Sequence, residues 1–138
     1  MRREAWAFHC VDNPTRIEHS MIKGIGVDIV DLARFDRQVA RTPGLVARLF
    51  APEERTLPPH SLAARFAAKE ALIKALGDSV GASWQEMEVV SDAHGNPSFA
   101  LTGVVQAAVA ARGVTSVHLS LTHDAGVACA FVVMEGEA

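Results

Sequence analysis

Two cysteines, Cys10 and Cys129, are all the thiol chemistry that this 138-residue sequence contains. They stand far apart with no metal-type spacing, which argues against a disulfide framework or a zinc knuckle and fits a reducing, cytoplasmic setting. No run is long and apolar enough to span a membrane. No stretch rich in proline, glycine and serine divides the chain, and its 49% hydrophobic content is enough for one compact core, so a single domain is expected. The excess of one sign of charge is small too. A formal net charge of −3 argues against a broad nucleic-acid-binding surface and leaves room only for a local basic patch. There are no internal repeats, no low-complexity tracts and no G-x-x-x-x-G-K-[ST] loop, which removes the commonest nucleotide-binding folds.

Residues 1–20 mix charge with His9, His19 and Pro14, show no apolar periodicity and lack the apolar core of a signal peptide. The loss of pattern predicts a disordered N-terminal extension over 1–20, ahead of one domain over 21–138. Two alternatives stay open: an arm docked through Trp6 and Phe8, and a start of translation at Met21.

From residue 22 the chain alternates strands and helices. Residues 22–30 are β-branched with Gly24 and Gly26, as in a buried strand closely approached by another group. Asp31 can N-cap a helix that carries Leu32, Phe35 and Val39 on one face and Arg34, Arg37 and Arg41 on another. Short helical turns are expected after Pro43 and Pro52, before the Pro58-Pro59 break. Ser61 is the predicted cap of a main helix with Leu62, Phe66, Ile73 and Leu76 on one side, ending at Gly77. His94-Gly95-Asn96-Pro97 predicts a hairpin between strands 87–90 and 98–101. Thr102 caps an alanine- and valine-rich helix ending at Gly113, and two apolar strands, 117–121 and 127–134, form a second hairpin. The fold class that follows is α/β (α+β), a mostly antiparallel sheet packed against one long helix.

Two segments put carboxylates where packing would prefer apolar residues: Gly24-Ile25-Gly26-Val27-Asp28-Ile29-Val30 and Arg65-Phe66-Ala67-Ala68-Lys69-Glu70-Ala71-Leu72-Ile73-Lys74. Partly buried, Asp28 and Glu70 need compensation, which a divalent cation would supply, and the neighbouring lysines suggest phosphate. Plainer readings compete. Asp28 can cap a turn at a strand end, Glu70 and Lys74 can be a surface i,i+4 pair, and Lys69 can snorkel to solvent. His118 has no ligand partner at metal spacing and is expected to be structural.

In this order, Gly26-Val27-Asp28-Ile29-Val30, Arg65-Phe66-Ala67-Ala68-Lys69-Glu70-Ala71 with Lys74, Gly95-Asn96-Pro97 and Ser120-Leu121-Thr122-His123 resemble the holo-acyl-carrier-protein synthases. These are small single-domain members of the 4′-phosphopantetheinyl transferases, and the resemblance covers residues 21–134. It implies transfer of the phosphopantetheine arm of coenzyme A to a serine of an apo acyl carrier protein, releasing adenosine 3′,5′-bisphosphate. By the same resemblance Asp28 and Glu70 hold Mg²⁺ and Lys74 contacts the attacked phosphate. Arg65 and Lys69 are weaker candidates for the nucleotide phosphates. Ser120 and His123 wall the coenzyme A pocket, in part for a neighbouring subunit of a homotrimer. The base is either Glu70 or a water on the metal. Arg34, Arg37 and Arg41, extended by Arg48, would steer the acidic carrier protein. Two other functions remain in view: a noncatalytic coenzyme A or carrier-protein binding module, and another Mg²⁺-dependent phosphoryl-group enzyme such as a nucleotide hydrolase.

Overall fold

The computed structural model describes residues 19–138. Most of the extension expected over 1–20 lies outside them, but Ser20 already opens a strand. In chain order come β1 (Ser20–Asp31), α1 (Leu32–Arg41), α2 (Leu45–Leu49) and α3 (Pro59–Leu76). A 3-10 turn (Trp84–Glu86) leads into β2 (Met87–Ser91) and β3 (Pro97–Leu101), followed by α4 (Gly103–Ala111), β4 (Val114–Asp124) and β5 (Val127–Glu137). All pairing is antiparallel: a three-stranded sheet in the order β1-β5-β4 and the hairpin β2-β3.

The long helix sits on the inner face of the larger sheet. It is buried over most of its circumference, through Leu62, Ala63, Ala67, Ala68, Ala71, Leu72, Ala75 and Leu76. Small side chains dominate because β1 comes very near: a Cβ on Gly24 would overlap the carbonyl oxygen of Ala75, and one on Gly26 that of Ala71. The strand alternates accordingly. Its Gly24, Gly26, Asp28 and Val30 face α3, while Ile25, Val27 and Ile29 face out, 60%, 51% and 62% exposed. Of the β-branched run only Val30 lines this chain's own core; opposite Ala75 and Ala71 the helix leaves room for glycine alone.

Helix ends follow local chemistry, with corrections to the expected caps. The Asp31 carboxylate accepts a hydrogen bond from the Arg34 amide at 2.8 Å, as expected, and Gly77 closes α3 at φ +75. Ser61 does not cap α3. The helix starts two residues earlier at Pro59, where proline's fixed φ suits the first turn. Thr102 holds the cap position of α4 without a side-chain bond; the Glu86 carboxylate accepts from the Val105 amide instead. The residues after Pro52 form the short hydrogen-bonded turn expected there, with the Arg55 amide donating to the Pro52 carbonyl. β4 and β5 run longer than their apolar cores, so their link shrinks to Ala125-Gly126, both at positive φ, as a two-residue hairpin turn requires.

Replacing Gly26 with alanine is expected to cost about 3 kcal/mol or more, since the backbone of β1 or α3 must move to admit the methyl group. Chemical denaturation of the Gly26→Ala protein checks this, and a loss below about 1 kcal/mol contradicts the packing described.

Candidate active site

The strand–helix contact brings Asp28 of β1 over Glu70 and Lys74 of α3. The Lys74 ammonium donates to Asp28 Oδ1 at 2.8 Å and to the Val27 carbonyl at 3.0 Å. Asp28 is mostly buried, its side chain 17% exposed, while Lys74 reaches in from solvent. Partial burial raises the proton affinity of Glu70 above the usual carboxylate range. The nearby Asp28 charge raises it further, and Lys74 opposes both. Two carboxylates facing each other across a gap favour a cation between them.

These acids open into a cavity of about 310 Å³ with Arg34, Phe35, Gln38 and Phe66 around them. Phe35, Gln38 and Phe66 also border a second, apolar groove of about 330 Å³, completed by Leu45, Arg48, Leu49 and Trp84. Arg34 and Arg48 thus stand at the two grooves. Arg37 and Arg41 are exposed on α1, outside both linings.

Arg65 faces a separate cavity of about 220 Å³ that also holds His60, Ser61, Gly95, Pro97 and His123. His60 had no motif to mark it in the sequence, yet its ring stands edge-on to His123 with centroids 5.8 Å apart. The Gly95 rim is shaped by Asp92, whose carboxylate accepts from the amides of His94 and Asn96 and from the Asn96 side chain. Ser120 is not part of this cavity. It pairs with Phe131 on the opposite, outward face of the sheet, three positions from His123 on an alternating strand.

Residues 24–132 match the family model of the 4′-phosphopantetheinyl transferase superfamily. The chain belongs to that superfamily. A holo-[acyl-carrier-protein] synthase of Clavibacter michiganensis is 70% identical over 118 residues, covering 86% of this chain and 99% of that protein. The crystal structure of the holo-[acyl-carrier-protein] synthase of Neisseria meningitidis superposes with a TM-score of 0.76 at 34% identity, over 83% of this chain and 98% of that one. The Chronobacterium ammoniagenes ACPS-CoA complex superposes at 0.68 and 27% identity, over 83% and 98%. This phosphopantetheinyl transferase is therefore an enzyme of the holo-[acyl-carrier-protein] synthase kind.

The transferase corrects the sequence reading at Lys69, which neither snorkels to solvent nor faces a phosphate site. Its ammonium is fully buried and donates to Glu54 Oε1 at 2.6 Å, to the Leu49 carbonyl at 2.8 Å and to the Trp84 carbonyl at 3.2 Å. It also lies 4.9 Å from the centre of the Phe50 ring. Glu54 is equally buried and accepts from the Ala51 and Val89 amides. Burial lowers the proton affinity of Lys69, and Glu54 counters the shift. Arg65 is drawn in as well, its Nε 4.0 Å from Glu54 Oε2 and its Nη2 3.4 Å from Ser91 Oγ. Glu54 had no sequence signal beyond one acid in a turn-rich stretch. His118 has a protein partner, in line with the structural histidine expected: its Nε2 lies 2.7 Å from Glu135, which also accepts from Ser20.

Lys69→Met leaves the Glu54 carboxylate buried without its cation, so it is expected to cost about 3–5 kcal/mol of folding stability. Denaturant titration measures it. A loss under about 1 kcal/mol contradicts a structural role for the pair.

Proposed function

We propose that the Asp28, Glu70 and Lys74 centre transfers the 4′-phosphopantetheine arm of coenzyme A to a serine of an apo acyl carrier protein, leaving adenosine 3′,5′-bisphosphate. The observation that carries this is the convergence of two carboxylates and a lysine at a groove rimmed by arginine. In the step itself the serine oxygen bonds to the phosphorus bearing the pantetheine arm, and the bond from that phosphorus to the bridging oxygen breaks. The bridging oxygen leaves with the nucleotide bisphosphate. The serine proton would pass to Glu70, which lines the cavity, or to a water on the metal. Lys74, held by Asp28, offers positive charge to the phosphate under attack.

The donor set fits magnesium. Among the described residues no group of three ligand-type side chains forms a closed metal cage, so Asp28 and Glu70 would supply two oxygens and leave the other positions to phosphate and water. Bound there, Mg²⁺ would neutralise charge on the pyrophosphate oxygens. Arg65, His123 and the neighbouring His60 suit the nucleotide phosphates. Lys69 is left out of that set by its burial.

The acidic carrier protein is assigned to the face of Arg34, Arg37, Arg41 and Arg48, with the apolar groove beside it receiving an apolar side chain. The outward face of the larger sheet, with Ile25, Val27, Ile29 and Phe131 exposed, is assigned to further copies of this chain in a homotrimer. That assembly would give outward-facing Ser120 a role in a neighbour's site. Work in the cytoplasm is part of this reading; among the described residues no helix is long and apolar enough to cross a membrane. With both acids and Lys74 in place, no observation favours a noncatalytic module or a nucleotide hydrolase.

Incubating the protein with coenzyme A, Mg²⁺ and an apo acyl carrier protein is expected to raise the carrier's mass by one phosphopantetheine. Glu70→Gln is expected to slow that gain by about a hundredfold or more. No gain across several acidic carriers, with the protein folded and coenzyme A bound, overturns the reading in favour of a binding module.

A further inference from the structure

α2 is a helix that should not persist alone. It has five residues, starts at Gly44 in the left-handed region at φ +82, and has no side-chain cap at that end. Forming one isolated turn is unfavourable, because several dihedral angles are fixed for very few hydrogen bonds. Leu49 is buried in the core with Leu45 and Val46 packed beside it, and the polar hold on the helix is at its carbonyl end. The Ala47 carbonyl accepts from Gln85 Nε2 at 2.9 Å and from Arg55 Nη2 at 3.0 Å. The Phe50 carbonyl accepts from Arg55 Nε at 3.0 Å, and the Leu49 carbonyl from the Lys69 ammonium. Two cations and an amide thus gather at the negative end of the helix, where cations are favoured.

What they hold in place is one wall of the apolar groove: Leu45, Arg48 and Leu49 all line it. Arg55, Gln85 and Lys69 themselves do not line it.

We propose that Arg55, with Gln85 and Lys69, positions α2 as a preformed wall of the carrier-protein groove, so that the carrier binds without having to order it. This rests on assigning the arginine-rimmed groove to the carrier. A wall fixed in advance removes an ordering cost that would otherwise be charged to binding. The two-pronged guanidinium is the central element, because a single side chain ties the Ala47 and Phe50 carbonyls together.

Titration calorimetry of the full chain with an apo acyl carrier protein tests this, alongside KM values for carrier and coenzyme A. Arg55→Met is expected to weaken carrier binding about fivefold, with KM for coenzyme A unchanged. Arg55→Lys keeps the charge but cannot grip both carbonyls, and it too is expected to weaken binding, with the parent's dependence on salt. Gln85→Leu frees only the Ala47 carbonyl and is expected to act in the same direction with a smaller effect, which keeps the test open should Arg55→Met fold poorly. Parent-like affinity in Arg55→Lys would mean that Arg55 acts by charge alone and overturns the proposal. So would parent-like affinity in Arg55→Met, or an equal rise in both KM values. Arg48→Glu, which reverses the charge at the groove itself, is the control: if it leaves carrier binding intact, the carrier assignment itself fails and the proposal falls with it.

Discussion

The structure depends on the contact between the backbone of β1 at Gly24 and Gly26 and the α3 carbonyls of Ala75 and Ala71. With no side chain between strand and helix, the two backbones lie closer than any larger residue would allow. Asp28, two positions on and on the same strand face, is thereby carried over the next turns of α3, where Glu70 and Lys74 project. The acids meet because the glycines do not intervene. The alternation of the strand then has a second consequence: every second residue from Ile25 on must point away from α3. The glycine spacing that builds the centre also puts Ile25, Val27 and Ile29 on the outside.

A second restraint fixes α3 from the other side. Lys69 precedes Glu70 by one residue, so the two side chains leave the helix about 100° apart. Glu70 opens to the cavity beside Asp28, and Lys69 is sealed against Glu54, Leu49 and Trp84. Burying an ion pair seldom adds much stability over an apolar pair of the same volume, so stability alone is a poor reason for this one. Its geometry supplies another. The ammonium has fixed acceptors on three separate stretches of chain, and an apolar pair, being non-directional, would hold the helix without specifying its rotation or depth.

The fold was largely legible in the sequence because its signals are local. Asp31 as a cap, Gly77 as a stop and the Asn96-Pro97 turn each act within a few residues, and each element falls where those signals place it. The misplaced boundaries have local causes as well: Pro59 can open a helix ahead of Ser61, and Glu86 reaches α4 from outside the helix. Pairing Asp28 with Glu70 was legible through the motif. The role of Lys69 was not, because a lysine within an apolar stripe reads as snorkelling unless its partner is known, and Glu54 stands fifteen positions away in a turn. His60 was missed for the same reason. Its neighbour His123 comes from the far end of the chain, and only the packing of α3 beside β4 brings the rings together.

The two faces of the larger sheet carry the remaining argument. On β4, His123 turns inward to the cavity of Arg65 and His60, while Ser120 turns outward beside Phe131. A strand cannot present both to one site, since residues three apart lie on opposite faces. If both serve coenzyme A, they serve it from different subunits, and the outward face must then be covered by another copy. The exposed Ile25, Val27, Ile29 and Phe131 meet that requirement independently, as a contiguous apolar surface that water disfavours. The proposed assembly would account at once for the outward position of Ser120 and for the apolar face of the sheet.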